Sequence, residues 1–340
     1  MSPAQRRELD EDDVRVRPGR GKSRPRTKDR PDHDTAVTGW VVTVDRGRFG
    51  CLVGEGDSRG AVTAVKAREL GRKGVVVGDR VALVGPMDGA DGSLARIVRV
   101  DPRRSVLRRT ADDTDPVERV LVANADQLAV VTSVAQPEPR PRLLDRCLVA
   151  AYDAGMDPLL VLTKGDLHSP EDLLATYREL DVPYVSTFRG PDGLHLGELV
   201  ERLRGRRTVL VGHSGVGKST LVNELVPGAM RSTGPVNTVT GRGRHTSASA
   251  VVLELPSGGW VIDTPGIRSF GLAHVDPSRV VHAFPDLAGG TAGCPRSCSH
   301  DEPDCALDAW VAQGHADPAR LDSLRRLLRA RELPWDSADA

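Results

Sequence analysis

Hydrophobic and polar residues alternate in short runs between Val37 and about Val100. Runs such as GWVVTV, FGCLV, AVTAV, RVALV and ARIVRV recur about every ten residues, with Gly-rich turns between them. Short, evenly spaced strands of this kind are typical of a small closed barrel. We therefore predict an OB-like β-barrel over residues 37–100. With only Trp40 and Phe49 available for stacking on bases, the barrel is either a nucleic-acid module or a protein-contact or spacer module.

A different pattern begins near Gln127, where apolar strands alternate with amphipathic helices. QLAVVTSV, DPLLVL, VPYVSTF, RTVLVG and GGWVID are the strand candidates, and RPRLLDRCLVAAYDAG is the clearest helix. This alternation predicts an α/β domain with a mostly parallel sheet and a ligand at the carboxyl ends of its strands. We assign it to residues 101–272, including a basic connector at its start. Residues 273–340 form a third unit with a cysteine cluster and a last helix capped by Asp317.

Composition narrows the class of protein. The chain has 340 residues, 39% of them hydrophobic, and no apolar run near the length of about 18 residues that a membrane span needs. The first residues carry basic side chains without an apolar core, so we expect a cytoplasmic protein that makes no membrane contact. Residues 1–36 are expected to be a disordered tail, with eight basic side chains and one acidic between residues 14 and 30. The tail is either an electrostatic arm for a polyanion or a solvated leader.

One motif predicts phosphate binding. GHSGVGKS matches the P-loop pattern G-x-x-x-x-G-K-[ST] and lies between a predicted strand and a predicted helix. In such a loop the backbone N–H groups close on the phosphates, the lysine offsets their charge, and the hydroxyl of Ser219 can ligate Mg²⁺. The predicted phosphate-binding residues are Gly212, His213, Ser214, Gly215, Val216, Gly217, Lys218, Ser219 and Thr220.

A second motif predicts the base. TKGD follows the apolar strand LLVL, and the carboxylate of Asp166 can accept from both N1–H and N2–H₂ of guanine, which adenine does not offer. Ser186, at the end of the next strand, either touches the base edge or sits in an ordinary turn. The predicted guanine-binding residues are Thr163, Lys164, Gly165, Asp166 and Ser186.

The catalytic half of the site is less well defined. Asp263 in VIDTPG ends a strand and is suited to hold Mg²⁺ through water, and Gly266 can sense the γ-phosphate. Residue 267 is Ile, which cannot orient an attacking water. Between the P-loop and VIDTPG, the segment GRGRHTSAS offers Thr246 or Ser247 as a second Mg²⁺ ligand. It also offers His245, which either approaches the attacking water or is a loop histidine without a catalytic role.

The order of these motifs is unusual, because TKGD precedes the P-loop and does not follow VIDTPG. The base-reading half of the domain therefore comes first, and we predict a circularly permuted GTPase domain. The barrel then precedes the amino-terminal end of the permuted domain, and the carboxyl-terminal unit follows directly after VIDTPG.

The last motif is CPRSCSHDEPDC, which places three thiols and one imidazole within twelve residues. Four such ligands fit a closed tetrahedral zinc site with no open position for a catalytic water, so we predict one structural zinc ion. The predicted zinc ligands are Cys294, Cys298, His300 and Cys305.

Taken in order, the barrel, TKGD, GHSGVGKST, GRHTS, DTPGIRSFGL and the Cys/His segment resemble the RsgA family of ribosome small subunit-dependent GTPases, over residues 37–335. The resemblance implies Mg²⁺-dependent hydrolysis of GTP to GDP and phosphate, stimulated by the small ribosomal subunit, in late maturation of that subunit. It implies catalytic roles for His245 and Lys218 and contact of the zinc segment with rRNA. The expected partners are the subunit, its rRNA and GTP or GDP, and the protein is expected to act as a monomer.

An alternative from another class is a nucleotide-gated RNA-binding module with little intrinsic catalysis. Ile267 supports it, since the residue that usually orients water is missing.

Overall fold

The computed structural model describes residues 35–54, 56–71, 74–90, 92–109, 119–227, 250–264, 272 and 274–332. Within these ranges no helix is both long and apolar enough to cross a membrane.

The first unit is a closed five-stranded barrel, which confirms the sequence-based prediction. Its strands are hydrogen-bonded in the order β1-β2-β3-β5-β4, with β4 returning to β1, and only the β3–β5 pair is parallel. Alternate residues point inward, so Val41, Val62 and Ile97 are buried. The strands are β1 (Val37–Asp45), β2 (Arg48–Val53), β3 (Gly60–Lys66), β4 (Arg80–Val84) and β5 (Ala95–Val100).

Neither of the barrel's aromatic candidates is free to stack on a base. Phe49 is buried in the barrel core, together with Cys51 and Val81. The Trp40 ring contacts a tryptophan of the following domain. A nucleic-acid surface on this barrel must therefore rely on charge.

A two-stranded ribbon links the barrel to the α/β domain. It consists of β6 (Val106–Arg109) and β7 (Arg119–Ala123), which pair antiparallel. Val122 of β7 also bridges to Val77 of the barrel unit and is fully buried. The described residues of the connector, 101–109 and 119–123, are thus part of the packed structure.

The α/β domain is built on one six-stranded sheet with the order β10-β9-β8-β13-β15-β14. All neighbouring strands are parallel except the edge strand β14. A separate hairpin is formed by β11 and β12. The strands are β8 (Gln127–Ser133), β9 (Asp157–Thr163), β10 (Tyr184–Ser186), β11 (Phe188–Gly190), β12 (Gly193–His195), β13 (Arg207–Val211), β14 (Val251–Glu254) and β15 (Trp260–Asp263).

The helices pack on the sheet and on each other. The domain contains α1 (Pro141–Ala154), α2 (Glu171–Tyr177), α3 (Gly197–Leu203) and α4 (Lys218–Leu225). The carboxyl-terminal unit adds α5 (Pro277–His282), α6 (Pro285–Ala288), α7 (Ala306–Ala312) and α8 (Pro318–Glu332).

The last helix, α8, joins the core of the α/β domain. It begins where the sequence predicts, and the Asp317 carboxylate caps it by accepting from the Ala319 N–H at 2.8 Å. Its apolar face shares one hydrophobic cluster with residues of α1, and buried Arg146 of α1 donates to the Ala330 carbonyl at 2.8 Å. The carboxyl-terminal unit is therefore packed directly against the α/β domain.

Candidate nucleotide site and metal cluster

The predicted nucleotide-binding segments meet at one edge of the sheet. Strands β8, β9, β10, β13 and β15 run in the same direction, so their carboxyl ends lie side by side. Asp166 lies three residues beyond β9, Ser186 ends β10, Lys218 follows the loop after β13, and Asp263 ends β15. Segments that are far apart in the sequence thus come together where a parallel sheet binds its ligand.

The P-loop has the tight backbone that the motif requires. A Cβ at Gly212 would collide with the carbonyl oxygen of Val131, and Gly217 has a φ of 95° immediately before α4. Ser219 and Thr220 lie in the first turn of α4, whose free N–H groups face an incoming anion. The loop and helix start therefore form a cradle for phosphate.

The Lys218 ammonium is held by a carboxylate at the end of the neighbouring strand. Its Nζ donates to Oδ1 of Asp263 at 2.5 Å, and both side chains are largely buried, at 16% and 25% exposed. A phosphate would attract the lysine, and a divalent cation would attract the aspartate. With a Mg²⁺–nucleotide complex bound, Lys218 would face a phosphate and Asp263 would face the cation.

The base-reading segment is joined to the phosphate loop. The buried Thr163 hydroxyl lies 2.6 Å from the Val216 carbonyl, to which it donates. The Lys164 ammonium donates to the Gly215 carbonyl at 3.2 Å and also to the Gln136 carbonyl. These contacts fix the distance between the two halves of the site before any ligand binds.

The Asp166 carboxylate is exposed and oriented by the backbone. Its Oδ1 accepts from the Arg189 N–H at 3.1 Å, and the Gly165 N–H donates to the Thr187 carbonyl at 3.1 Å. The Ser186 hydroxyl lies beside Gly165, 2.8 Å from where a Cβ on that glycine would be. A carboxylate and a hydroxyl are thus available to a purine edge.

The side chain of His213 is buried in the protein, as is that of Val216 in the same P-loop. His213 is 8% exposed, and its Nδ1–H donates to the Ser214 carbonyl at 2.9 Å. Burial lowers the pKa of the imidazole, so the ring is neutral at pH 7. The contribution of His213 to a nucleotide would come from its backbone.

The four predicted zinc ligands are brought together. Their ligand atoms all lie within 4.8 Å of one another, with Cys294 Sγ 3.6 Å from His300 Nδ1 and 3.9 Å from Cys305 Sγ. Tetrahedral zinc with its usual bond lengths places sulfur and nitrogen ligands about 3.6 Å apart, and two sulfur ligands about 3.8 Å apart. The cluster therefore fits a zinc ion.

The protonation of these groups agrees with that fit. Burial lowers the pKa of His300, which keeps its ring in the neutral form that binds metals. Burial raises the pKa of the Cys298 thiol to about 11, and that thiol donates to the Glu302 carboxylate at 3.2 Å. A thiol with so high a pKa stays protonated near pH 7 unless a bound cation stabilises the thiolate, and a metal ion bound here would do so while the proton is released to solvent.

An arginine of α8 supports the cluster from outside. Arg325 donates to the His300 carbonyl at 3.0 Å and forms two contacts with the Asp308 carboxylate, at 2.7 and 2.9 Å. These contacts tie the cluster loop to both α7 and α8. The cluster is thus part of the packing between these helices.

Comparison with known proteins identifies the family. The family model for the RsgA GTPase matches residues 100–273, which is half of the chain. The chain belongs to the RsgA GTPase family.

Curated relatives in the RsgA GTPase family match at substantial identity. A protein of Pseudomonas aeruginosa named small ribosomal subunit biogenesis GTPase RsgA is 40% identical over 264 residues, which cover 75% of each chain. A protein of the same name from Gemmatimonas aurantiaca is 36% identical over 304 residues, which cover 86% of this chain and 97% of the relative.

Solved structures share the RsgA fold. The crystal structure of YjeQ from Thermotoga maritima has a TM-score of 0.62 and 26% identity, and the match covers 87% of this chain and 99% of that one. YloQ, described as a circularly permuted GTPase, has a TM-score of 0.60 and 23% identity, with 89% and 98% coverage. Both matches include the barrel, so the predicted multidomain fold is confirmed.

Some predicted RsgA site residues cannot be placed. His245, Thr246, Ser247 and Gly266 lie outside the described residues, as does Ile267. Two features of the described site were missed by the motifs, namely the Gln136 carbonyl that holds Lys164 and the β11 backbone that orients Asp166. Both act through backbone atoms, so no side-chain signature could have revealed them.

Proposed function

We propose that this RsgA family protein is a GTPase that binds the small ribosomal subunit and acts in its late maturation, with hydrolysis stimulated by the subunit. The observation that carries the enzymatic part is the convergence of Asp166, the P-loop and Asp263 at one sheet edge. The partner is suggested by the names of the curated relatives. A cytoplasmic location and action as a monomer are part of the proposal.

Each functional residue at this edge of the sheet has a proposed role in nucleotide binding. Asp166 accepts from the guanine N–H groups, and Ser186 contacts the base edge. The P-loop N–H groups and Lys218 bind the β- and γ-phosphates, because they present positive charge where charge develops during transfer. Lys218 leaves Asp263 for the phosphates on binding.

Two groups complete the proposed machinery. Ser219, Asp263 and one hydroxyl of Thr246 or Ser247 would hold Mg²⁺, which offsets negative charge on the phosphate oxygens when bound. His245 orients the attacking water, and Gly266 contacts the γ-phosphate. The zinc ligands hold one structural ion that keeps the carboxyl-terminal unit ordered for contact with rRNA.

The decisive experiment is single-turnover GTP hydrolysis by the full chain, with and without purified small ribosomal subunits. We expect slow hydrolysis alone and an increase of about 10³- to 10⁵-fold with subunits. Lys218→Ala should abolish turnover. His245→Ala should bind GTP and subunits normally but lose most of the stimulated rate.

The same experiment separates this function from the RNA-binding alternative. If the wild-type chain binds subunits in a GTP-dependent manner without faster hydrolysis, the protein is a nucleotide-gated binding module. If His245→Ala keeps the stimulated rate, a group of the ribosome performs catalysis.

A further inference from the structure

A cavity lined mainly by polar and charged side chains lies where the barrel meets the α/β domain. It has a volume of about 360 Å³ and is formed by both units and the connector between them. We call it the junction groove. Its lining residues are Arg80, Asp101, Pro102, Arg104, Asn124 and Arg207.

The junction groove is separate from the nucleotide site. Arg207 begins β13 and pairs with Trp260, the first residue of β15, whereas the P-loop follows the other end of β13 and Asp263 is the last residue of β15. The two sites therefore lie at opposite edges of the sheet. A ligand in the groove does not compete with the nucleotide.

Positive charge predominates in the groove. The Asp126 carboxylate accepts from Arg104 at 2.6 Å and from the Arg207 N–H at 2.9 Å, with the Arg207 side chain at 3.7 Å. Asp101 is paired with Arg99 at 3.0 Å. Three arginines, Arg80, Arg104 and Arg207, thus line the groove. Arg104 and Arg207 share the Asp126 carboxylate and Asp101 is paired with Arg99, whereas in the described part of the chain Arg80 has no ion-pair partner.

The walls of the groove are held in place. The Asn124 side chain is buried and bridges the units, accepting from the Arg104 N–H at 2.8 Å and donating to the Gly78 carbonyl at 2.9 Å. The Arg207 guanidinium lies 5.8 Å from the centre of the Trp40 ring. The walls formed by Asn124, Arg104 and Arg207 are therefore preorganised, which reduces the entropy cost of binding an anion there.

Exposed guanidinium groups favour a phosphate ligand, because the planar fork of arginine matches two phosphate oxygens. The groove is open to solvent and borders the barrel, so a long polymer can reach it. We propose that the junction groove binds a phosphate of an RNA backbone, with Arg80 as its principal contact. The inference rests on the proposed function, since the small ribosomal subunit would supply that RNA.

The test compares full-length Arg80→Gln with wild type, using purified small ribosomal subunits and a short mixed-sequence RNA as probes. Arg80 lies on the barrel surface, so the variant should fold. We expect binding to both probes to weaken about three- to tenfold, and the slope of log affinity against log salt to fall by about 0.7–0.9 for the lost contact. Arg80→Lys should recover most of the affinity, whereas Arg68→Gln, an exposed arginine elsewhere on the barrel, should bind like wild type. GTP affinity should be equal in all variants.

Each result that contradicts the inference leads to a different conclusion about the groove. Equal affinity and equal salt slope for Arg80→Gln and wild type would overturn the inference. Loss of subunit binding with unchanged RNA binding would assign the groove to an acidic protein partner. Tight binding of inorganic pyrophosphate that requires Arg80 would assign it to a free phosphate ligand. If the wild-type protein did not bind subunits, the proposed function would be wrong. Binding to the RNA probe alone would then show whether the groove binds RNA.

Discussion

The indole ring of Trp40 meets that of Trp260 edge to face, with ring centroids 4.8 Å apart and ring planes at 72°. Trp40 belongs to β1 of the barrel, and Trp260 begins β15, which ends at Asp263 of the nucleotide site. Arg59 adds a second contact, lying 5.2 Å from the centre of the Trp260 ring and 2.7 Å from the Glu254 carboxylate of β14. The barrel therefore rests on the strand pair β14–β15.

We expect Trp40→Ala to loosen this junction. Losing an aromatic pair and its buried area should lower the free energy of unfolding by about 2–3 kcal/mol. Urea unfolding followed by circular dichroism measures the change. Trp40→Phe, which keeps a ring at the contact, should lose less than half as much. Equal stability of Trp40→Ala and wild type would mean that the ring contact contributes nothing.

The Lys218–Asp263 pair predicts an unusual dependence on magnesium. Asp263→Ala frees the lysine for the phosphates, so GTP affinity in EDTA should equal or exceed that of wild type. In the same variant, the gain in GTP affinity on adding Mg²⁺ should be about 10- to 100-fold smaller than in wild type. Titration of a fluorescent GTP analogue with and without Mg²⁺ measures both effects. Asp157→Ala, at the opposite end of the sheet, is the matched control. A uniform loss of affinity under both conditions would contradict the exchange of partners.

The cysteine cluster predicts one zinc ion per chain. Elemental analysis of the purified protein should find it, and Cys298→Ala should lose it together with order in the carboxyl-terminal unit, while GTP binding persists. Cys51→Ala, which removes a buried thiol of the barrel, should keep the metal. Wild-type protein that contains no zinc after purification without chelators would refute the site.

A buried carboxyl group between α1 and α8 predicts a pH effect on stability. Burial raises the pKa of Asp145 to about 6, although Arg326 at 3.3 Å and the Tyr177 hydroxyl act in the opposite direction. Because the folded protein holds this proton more tightly than the unfolded chain, the stabilisation is complete below pH about 4 and is lost as the pH rises through about 6.

The free energy of unfolding of wild type should therefore fall relative to that of Asp145→Asn as the pH rises from about 4 to 7. The size of this relative change should be on the order of 2–3 kcal/mol. Urea unfolding at a series of pH values measures it. Asp172→Asn, on the exposed face of α2, is the matched control. A constant difference for Asp145→Asn would show that Asp145 titrates normally.

The sequence predicted those parts of the fold that depend on local patterns. Alternation identified the barrel because each strand has one buried face, and the P-loop was recognisable because its backbone requires glycine at fixed positions. Long-range partners were not predictable. Trp40 was a candidate for base stacking, but the structure places it against Trp260, which lies 220 residues further along the sequence.

The arginines of α8 illustrate the same limit. Their spacing is typical of a solvated helix face, yet Arg325 contacts Asp308, Arg326 contacts Asp145 and Arg329 contacts Asp301. Helical periodicity shows which residues share a face but not which element covers it. The hairpin β11–β12 was missed because its strands have three residues each, too few to show alternation.

The hydrogen bond from Thr163 to Val216 has an evolutionary consequence. It joins the base-reading loop to the phosphate loop through space, so the nucleotide pocket does not depend on the covalent path between them. The ends of such a domain can be moved to another surface loop without loss of the pocket. New termini then become attachment points for additional modules, here a barrel on one side and a metal cluster on the other. Rearranging the gene can thus attach different modules to the GTPase domain while its nucleotide pocket stays the same.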